Sequence, residues 1–424
     1  MMLTVEEYLQ KVLSLGAQLP AQKLPIAAGI GGILAEDLTA RFPVPPFDNS
    51  AMDGFAVRAA DIATAGNDDT DPCAGGSAPS SNQTVVLKVV GDIPAGAQQV
   101  PSIGAGECAR IMTGAPLPPG SDSVVPVELT DHTAGKNEVP QTVTIYDSVT
   151  HGKHVRRKAE NCAVGEKVLP AGLLWTPAAA SSAASLGYAE VSLIPRPRVA
   201  VLATGSELVA PGQPLGFGQI PDSNSILVTE LCKQFGAEVI MAEAVSDDPK
   251  LFSSALCRAA EADIVVTTGG VSAGAYEVVR QVTEGEVQFT KVAMQPGKPQ
   301  ACGTIQAADS RKIPLLGLPG NPVSAYISAW LFVRPLIELC AGRKTDLELE
   351  EVVVEVGWRG AKKRRQYIPV IVENKWVRPA HRLGSGSHLV ASLALSNAIA
   401  IIPAEVAEIS PGETVQIFRT DRFS

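Results

Sequence analysis

Residues 198–205 read Arg198-Val-Ala-Val-Leu-Ala-Thr-Gly205, a short apolar run that stops at a glycine. A run without polar alternation predicts a strand covered on both faces. Working outward, the same pattern returns at Glu238–Val245, at Asp263–Gly270 with its double glycine, and at Ile313–Pro319. Helical stretches fall between them. One is capped by Ser223 or Asn224 and stops at Gly236, one runs from Pro249 to about Ala262, and one from Ala275 to about Thr283. A further strand is expected near Val287–Ala293, and a long apolar helix over Val323–Cys340. Strands alternating with helices at this spacing predict a mostly parallel sheet with helices on both faces. Ligands of such sheets bind beyond the carboxyl ends of the strands. Those ends read Thr204-Gly-Ser-Glu207, Thr268-Gly-Gly-Val-Ser272 and Leu318-Pro-Gly-Asn-Pro322, so three glycine-bearing loops should gather at one edge.

The flanking sequence has another character. Residues 40–165 are dominated by Gly, Pro and short β-rich runs such as Thr84–Val90 and Thr142–Tyr146, which predicts small β lobes. Residues 61–82 are rich in Gly, Ser and Asp and read as a loop. From about residue 347 a β pattern restarts at Leu349–Val356, Tyr367–Val372 and Ala398–Ile402, a separate small β domain. The N-terminus, Met1-Met-Leu-Thr-Val-Glu-Glu-Tyr-Leu-Gln-Lys-Val-Leu13, has acids early and the spacing of an amphipathic helix. The fold class expected is a multidomain α/β plus β protein.

Composition narrows the function classes. A chain of 424 residues with 46 % apolar and 19 % charged residues can bury several cores. A net charge of −9 and only 5 % aromatics argue against a broad nucleic-acid surface or base-stacking platform. Seven cysteines without a C-x-x-C pair argue against structural zinc and read as reduced thiols of a cytoplasmic protein. The uncharged stretch Val168–Ala189 is interrupted by Pro170, Pro177 and glycines, so a membrane helix is not expected there.

Candidate chemistry sits mainly at the three loops. The Thr268–Gly274 turn, free of bulky side chains, can aim backbone N–H groups of Gly269 and Gly270 at an anion, with the following helix adding its positive end. Pro319-Gly320-Asn321-Pro322 is a second such turn. The acids Glu207, Asp222, Asp247, Asp248 and Glu277 cluster nearby in sequence. Asp247 and Asp248 precede Pro249, a pattern that suits a helix cap as well as a metal ligand. Lys298 offers a point charge for phosphate. Asp53 before Gly54 and Thr113 before Gly114 either close turns or contact an oxyanion. The basic turn His151-Gly-Lys-His-Val-Arg-Arg-Lys158 is a solvated loop or an anion contact. P-loop, G-x-G-x-x-G and H-E-x-x-H motifs are absent from the sequence.

Seven segments occur in order: Asn49-Ser-Ala-Met-Asp-Gly-Phe-Ala, Arg110-Ile-Met-Thr-Gly-Ala-Pro, Thr204-Gly-Ser-Glu-Leu, Asp247-Asp-Pro, Gly269-Gly-Val-Ser-Ala-Gly, Pro296-Gly-Lys-Pro and Leu318-Pro-Gly-Asn-Pro-Val-Ser. In these the chain closely resembles the molybdopterin molybdenumtransferase family, which includes the E domain of gephyrin. The resemblance implies a homodimer of four-domain subunits. Domain I would be residues 21–40 and 162–194, domain II 41–161, domain III 1–20 and 195–346, and domain IV 347–424. Domain III would be an α/β domain of the molybdopterin-binding type. The implied reaction is the Mg²⁺-dependent insertion of molybdate into adenylylated molybdopterin with release of AMP, in molybdenum cofactor biosynthesis. The implied active site lies between subunits. Asp53 and Thr113 match its N-terminal side, and Glu207, Asp248 or Asp247, and Lys298 its α/β side. Asp222, Gly269, Gly270, Ser272, Pro319, Gly320, Asn321, Pro322, Arg156 and Ser387 are implied ligand contacts, and Asp247, Asp248 and Glu277 implied metal ligands. Partners implied are the pterin nucleotide, the molybdopterin adenylyltransferase and apo-molybdoenzymes.

The chain departs from the family pattern at four places. Glu277 stands where Asp is usual, Gln295 where Lys is frequent, and Asn161 where an acid follows the basic turn. An Arg expected after Tyr367 is replaced by Pro369, with Arg364 and Arg365 nearby as substitutes. These departures raise an alternative: a catalytically weakened paralogue that carries or scaffolds molybdopterin.

Overall fold

The structure is a computed structural model and describes residues 2–66, 83–133, 135, 138–271, 278–360, 363–381, 386 and 388–421. It divides into two compact units, a smaller one of residues 37–171 and 177–190 and a larger one of residues 1–36, 172–176 and 191–424.

In the smaller unit, β1 (Gly54–Val57), β2 (Val85–Ile93), β3 (Glu107–Ile111), β4 (Ser123–Pro126) and β5 (Thr142–Ile145) form one sheet in the order β4-β1-β3-β2-β5. Only β2 and β3 run parallel. Side-chain alternation sends Phe55, Val57, Leu87 and Val125 into one core and Ala56, Ile93, Ile111 and Val124 into another. The β-rich expectation for this region holds. The uncharged stretch from Val168 breaks into the end of the short strand Lys167–Leu169, a turn, and the short helix Pro177–Ser185.

The larger unit contains the expected α/β layers. Its six strands are β6 (Arg198–Thr204), β7 (Glu238–Val245), β8 (Ile264–Thr268), β9 (Val287–Lys291), β10 (Pro299–Gln306) and β11 (Lys312–Leu318). They are ordered β7-β6-β8-β11-β10-β9. The first three junctions are parallel, and β11–β10 and β10–β9 are antiparallel. The β10 strand was not anticipated. Its sequence, Pro299-Gln-Ala-Cys-Gly-Thr-Ile-Gln306, mixes polar and glycine positions and hides the pattern.

Helices cover both faces. Val199, Val201, Ile264 and Val266 pack on one side with α1 (Val5–Leu13), α2 (Asn224–Gln234) and the long helix α5 (Pro322–Cys340). Ala200, Leu202, Val265 and Leu315 pack on the other with α3 (Pro249–Ala259) and α4 (Val278–Val282). The N-terminal helix α1 starts in a capping box. Thr4 Oγ1 accepts the Glu7 N–H at 3.1 Å, and Glu7 Oε2 accepts the Thr4 N–H at 2.7 Å. Its Tyr8 ring meets Phe332 of α5 edge-on at 4.8 Å. Among the described residues α5 alone is long and apolar enough to cross a membrane, and it is almost wholly buried in this core. It holds a π-helical segment, Ala329–Val333, just ahead of Pro335, which has no N–H to continue the ladder.

The C-terminal strands β12 (Glu350–Val354), β13 (Arg365–Glu373), β14 (Trp376–Pro379), β15 (Ala398–Ile402) and β16 (Thr414–Arg419) close into a ring, β13-β14-β12-β16-β15 and back to β13. The short strand Met294–Gln295 adds to β13 in parallel, with Gln295 opposite Gln366.

Candidate ligand-binding edge and the Asp53 site

The three glycine-bearing loops do gather. Thr204 Oγ1 donates to the Thr268 carbonyl at 3.3 Å, the Gly269 N–H donates to the Leu318 carbonyl at 3.1 Å, and the Gly205 N–H to the Val245 carbonyl at 3.2 Å. Gly269 has φ +85°, and a Cβ there would sit 2.5 Å from the Thr204 carbonyl oxygen. Only glycine lets these two loops approach. A Cβ on Gly320 would lie 3.5 Å from Gly269 Cα, so the β8 and β11 loops are neighbours as well.

The start of α2 joins them. Asn224 Nδ2 donates to the Gly320 carbonyl at 2.6 Å. Of the expected caps, Ser223 holds the N-cap position of α2 and Asn224 is its first residue, but Ser223 makes no side-chain cap bond. Asp222, one residue earlier, supplies a side-chain bond to the first turn. Its carboxylate is buried, and Oδ1 accepts the Ser225 N–H at 3.0 Å. The Asp222 carboxylate adds a negative charge at the positive end of the helix.

The paired acids divide their work. Asp247 Oδ2 accepts the Ser206 N–H at 2.9 Å while Ser206 Oγ accepts the Asp247 N–H at 3.1 Å, which locks the β6 and β7 loops together. Asp248 is the N-cap of α3, its Oδ1 accepting the N–H groups of Lys250 and Leu251 at 2.8 and 3.2 Å. Each carboxylate keeps a second oxygen outside these bonds. Glu207 is exposed at the same edge. Lys298 is placed there by register: Ala301 pairs with Gly317, which sets Lys298 beside the end of β11. It is exposed, and its ammonium has no partner among the described residues. Pro319 is buried, Gly320 and Asn321 are exposed, and Pro322 opens α5.

Thr268 Oγ1, Asn224 Oδ1 and Ser225 Oγ are buried without partners among the described residues. Unmet hydrogen-bonding capacity of this kind behind an anion-accepting edge suits a polar ligand. Ser272 and Glu277 lie outside the described residues, as does Ser387. Among the described residues no three His, Cys, Asp or Glu side chains converge as a metal set.

The smaller unit carries the other candidates. Asp53 and Thr113 meet: Oδ1 of Asp53 accepts the Thr113 N–H at 2.7 Å and its hydroxyl at 2.8 Å. Arg110, one turn of sequence earlier, is held bidentately by Asp92 at 2.7 and 2.8 Å. Arg156 is exposed on a short strand opposite Asn49. Its turn is anchored by Asp48, whose carboxylate accepts the Lys158 N–H at 2.7 Å and the Arg157 guanidinium at 2.8 Å. Those two bonds hold Asp48 below the usual carboxylate range. Burial and the neighbouring Lys153 hold His154 of the same turn below the usual imidazole value. Asn161 is exposed, and its N–H donates to the Val44 carbonyl at 2.9 Å.

At the C-terminal barrel the substitution anticipated for Arg365 is corrected. Its guanidinium is taken by Glu6 of α1, so it is not a free cation for a ligand. Pro369 is buried in β13 opposite Ile399. Ser206, Asn224 and Asp48 are the residues that reading the motifs one by one missed. Ser206 lay inside a quoted motif, but its partner is 41 positions away.

The six described cysteines are free. Burial pushes the Cys232 and Cys340 thiols up to about 12, so they stay protonated and inert at neutral pH.

A largely parallel α/β layer with its glycine loops gathered at the carboxyl ends of the strands defines a class of α/β domain whose ligands bind at that edge. Comparison with known proteins sharpens this. Residues 3–187 match the family described as MoeA N-terminal region (domain I and II), residues 200–339 the "Probable molybdopterin binding domain", and residues 351–419 the MoeA C-terminal region (domain IV). The chain is 38 % identical over 405 residues to a protein named molybdopterin molybdenumtransferase 2 from Mycobacterium tuberculosis, covering 93 % of this chain and 94 % of that one. It is 35 % identical to the molybdopterin molybdenumtransferase of a Nostoc species, covering 96 % and 90 %. The crystal structure of a molybdopterin biosynthesis MoeA protein from Pyrococcus horikosii superposes with a TM-score of 0.73 at 29 % identity, covering 99 % of each chain. The chain belongs to the molybdopterin molybdenumtransferase family, transferases of molybdenum cofactor biosynthesis.

Proposed function

We propose that the protein inserts molybdate into adenylylated molybdopterin, with release of AMP and assistance from Mg²⁺, as a cytoplasmic homodimer of four-domain subunits. The observation that carries this reading is the convergence of Gly269, Gly320 and Asn224 at one sheet edge in a full-length member of this family. The edge binds the anionic part of the substrate. The Gly269 N–H, read from the sequence as an anion donor, is taken by the Leu318 carbonyl. The Gly270 N–H is the donor this turn offers, and the Lys298 ammonium neutralises phosphate or molybdate charge. The Asp247 and Asp248 oxygens left free of the loop and cap bonds are hard donors and fit Mg²⁺, with Glu277 as the third implied ligand. When bound, Mg²⁺ supplies positive charge against the leaving phosphate. Glu207 orients a ligand hydroxyl or water at the strand end. Asp53, fixed by Thr113, presents its second oxygen from the opposing side of the site, contributed by the partner subunit. Donor and acceptor partners are the molybdopterin adenylyltransferase and apo-molybdoenzymes.

The carrier alternative is not favoured, because the curated relatives over the full chain are named as transferases. The test is AMP release from adenylylated molybdopterin with Mg²⁺, with and without molybdate. Molybdate-dependent release is expected. Tight binding of the nucleotide without release would sink the proposal in favour of the carrier.

A further inference from the structure

One aromatic side chain stands fully in solvent beside the glycine edge. Phe217 has a relative exposure of 110 %, and Leu215 and Ile220 around it are 53 and 50 % exposed. Three apolar side chains exposed within six residues of one arch set it apart from singly scattered apolar residues. The arch that carries Phe217 leaves the edge at Glu207 and returns to it at Asp222. The Ile220 N–H donates to the Glu207 carbonyl, and the Asp222 N–H to the Val209 carbonyl, both at 2.9 Å. Leu208–Val209 and Ile220–Pro221 pair in parallel and fix its base. The tip is a built turn: Gly216 donates its N–H to the Gln219 side chain at 2.8 Å, and Gly218 has φ +81°. Phe217 is four residues from Pro221, which keeps its backbone within about 14 Å of the base of the arch.

The edge itself is made of carboxylates, an ammonium, hydroxyls and backbone N–H groups. Among the described residues of its loops, Phe217 carries the one aromatic ring. A ligand that joins phosphate to flat heterocycles needs a π face as well as an anion site. We propose that Phe217 is a specificity residue that stacks on an aromatic heterocycle of the ligand, the adenine or the pterin ring, when the phosphate occupies the glycine edge. The inference rests on the proposed substrate class, and it assigns the arch 208–221 as part of the binding site.

The experiment titrates the full-length protein with two probes separately, AMP and molybdopterin, following binding by calorimetry and self-association by sedimentation. In Phe217→Ala the dissociation constant for one probe rises about tenfold, which is about 1.4 kcal/mol. The probe that responds identifies the ring. Phe217→Tyr restores binding, whereas Phe217→Leu, which keeps the apolar bulk without the π face, does not. In turnover the loss falls on KM more than on kcat. Unchanged affinity for both probes in Phe217→Ala overturns the inference. So does full rescue by Leu, or a loss of self-association with affinity intact, which would make the ring a contact between copies of the chain. If the wild-type protein fails to release AMP, the proposed reaction falls. The two titrations still decide the role of Phe217.

Discussion

Thr113 donates both its backbone N–H and its hydroxyl to a single oxygen of Asp53, at 2.7 and 2.8 Å. Both residues are exposed, and 60 positions separate them in the chain. A surface carboxylate fixed by two donors on one oxygen presents the other oxygen in a set direction, which is what a positioned catalytic carboxylate requires. Thr113→Ala removes one of the two bonds and is expected to slow AMP release about tenfold, near 1.4 kcal/mol. Thr113→Ser keeps the hydroxyl and should retain most of the rate. Equal rates for the Ala variant and wild type would remove Thr113 from the site.

Asp248 has two tasks that can be separated. Asn caps a helix about as well as Asp but lacks the charge. Asp248→Asn should therefore keep the thermal midpoint while Mg²⁺-stimulated AMP release falls by a factor of ten or more, an order-of-magnitude expectation for loss of one charged ligand. Asp248→Ala should lose both, with about 1 kcal/mol of stability gone with the cap. Thermal unfolding alongside a Mg²⁺ titration reads the two effects. Full activity in the Asn variant would leave Asp248 as a cap only.

Gly269→Ala should fail in two ways at once. The backbone is in the left-handed region, and the new methyl would lie 2.5 Å from the Thr204 carbonyl, which cannot move without parting β6 from β8. A loss of roughly 2 kcal/mol or more in urea unfolding is expected, together with loss of ligand affinity at the edge. Gly212, also at positive φ but with nothing within 4 Å of its added Cβ, serves as the control. An Ala there should lower stability less than at Gly269.

The acid limb of stability should depend on Asp48. Its folded pKa lies below the ordinary value of 3.8, first through the Lys158 N–H and then through Arg157. Above the unfolded value the carboxylate is charged in both states, and its native bonds contribute in full. As pH falls from 3.8 through the lower folded value, proton uptake removes that contribution. Asp48→Asn should flatten the stability curve between about pH 5 and pH 3 and cost about 1 kcal/mol at neutral pH. Urea midpoints across that range decide it. A variant curve parallel to wild type would show that Asp48 does not titrate with folding.

The sheet was legible because burial on both faces writes continuous apolar runs into β6, β8 and β11. The apolar run at β7 also forms a strand, but at the sheet edge and largely half-buried or exposed rather than covered on both faces. β10 was not legible, since a strand pinned between two neighbours tolerates the Gly303 and Thr304 that blur its pattern. The glycine loops announced the edge, but Asn224 as the tie to Gly320, 96 positions away, did not show in local sequence. The same holds for Arg365, whose spacing suggested a free cation and whose charge is spent on Glu6.

Local sequence by itself determined the strands and helices of the α/β layer other than β10, the three glycine loops and the family, because periodicity and backbone permissiveness act over a few residues. Only the tertiary structure decided which carboxylates are committed. Whether Asp247 binds Ser206 or Asp53 takes Thr113 depends on groups 41 and 60 positions apart that chain closure brings within 3 Å, whereas the Asp248 cap is a local bond that the Asp-Pro spacing already suggested. A hydrogen bond between distant residues is set by that distance and angle, and no residue spacing along the chain encodes either.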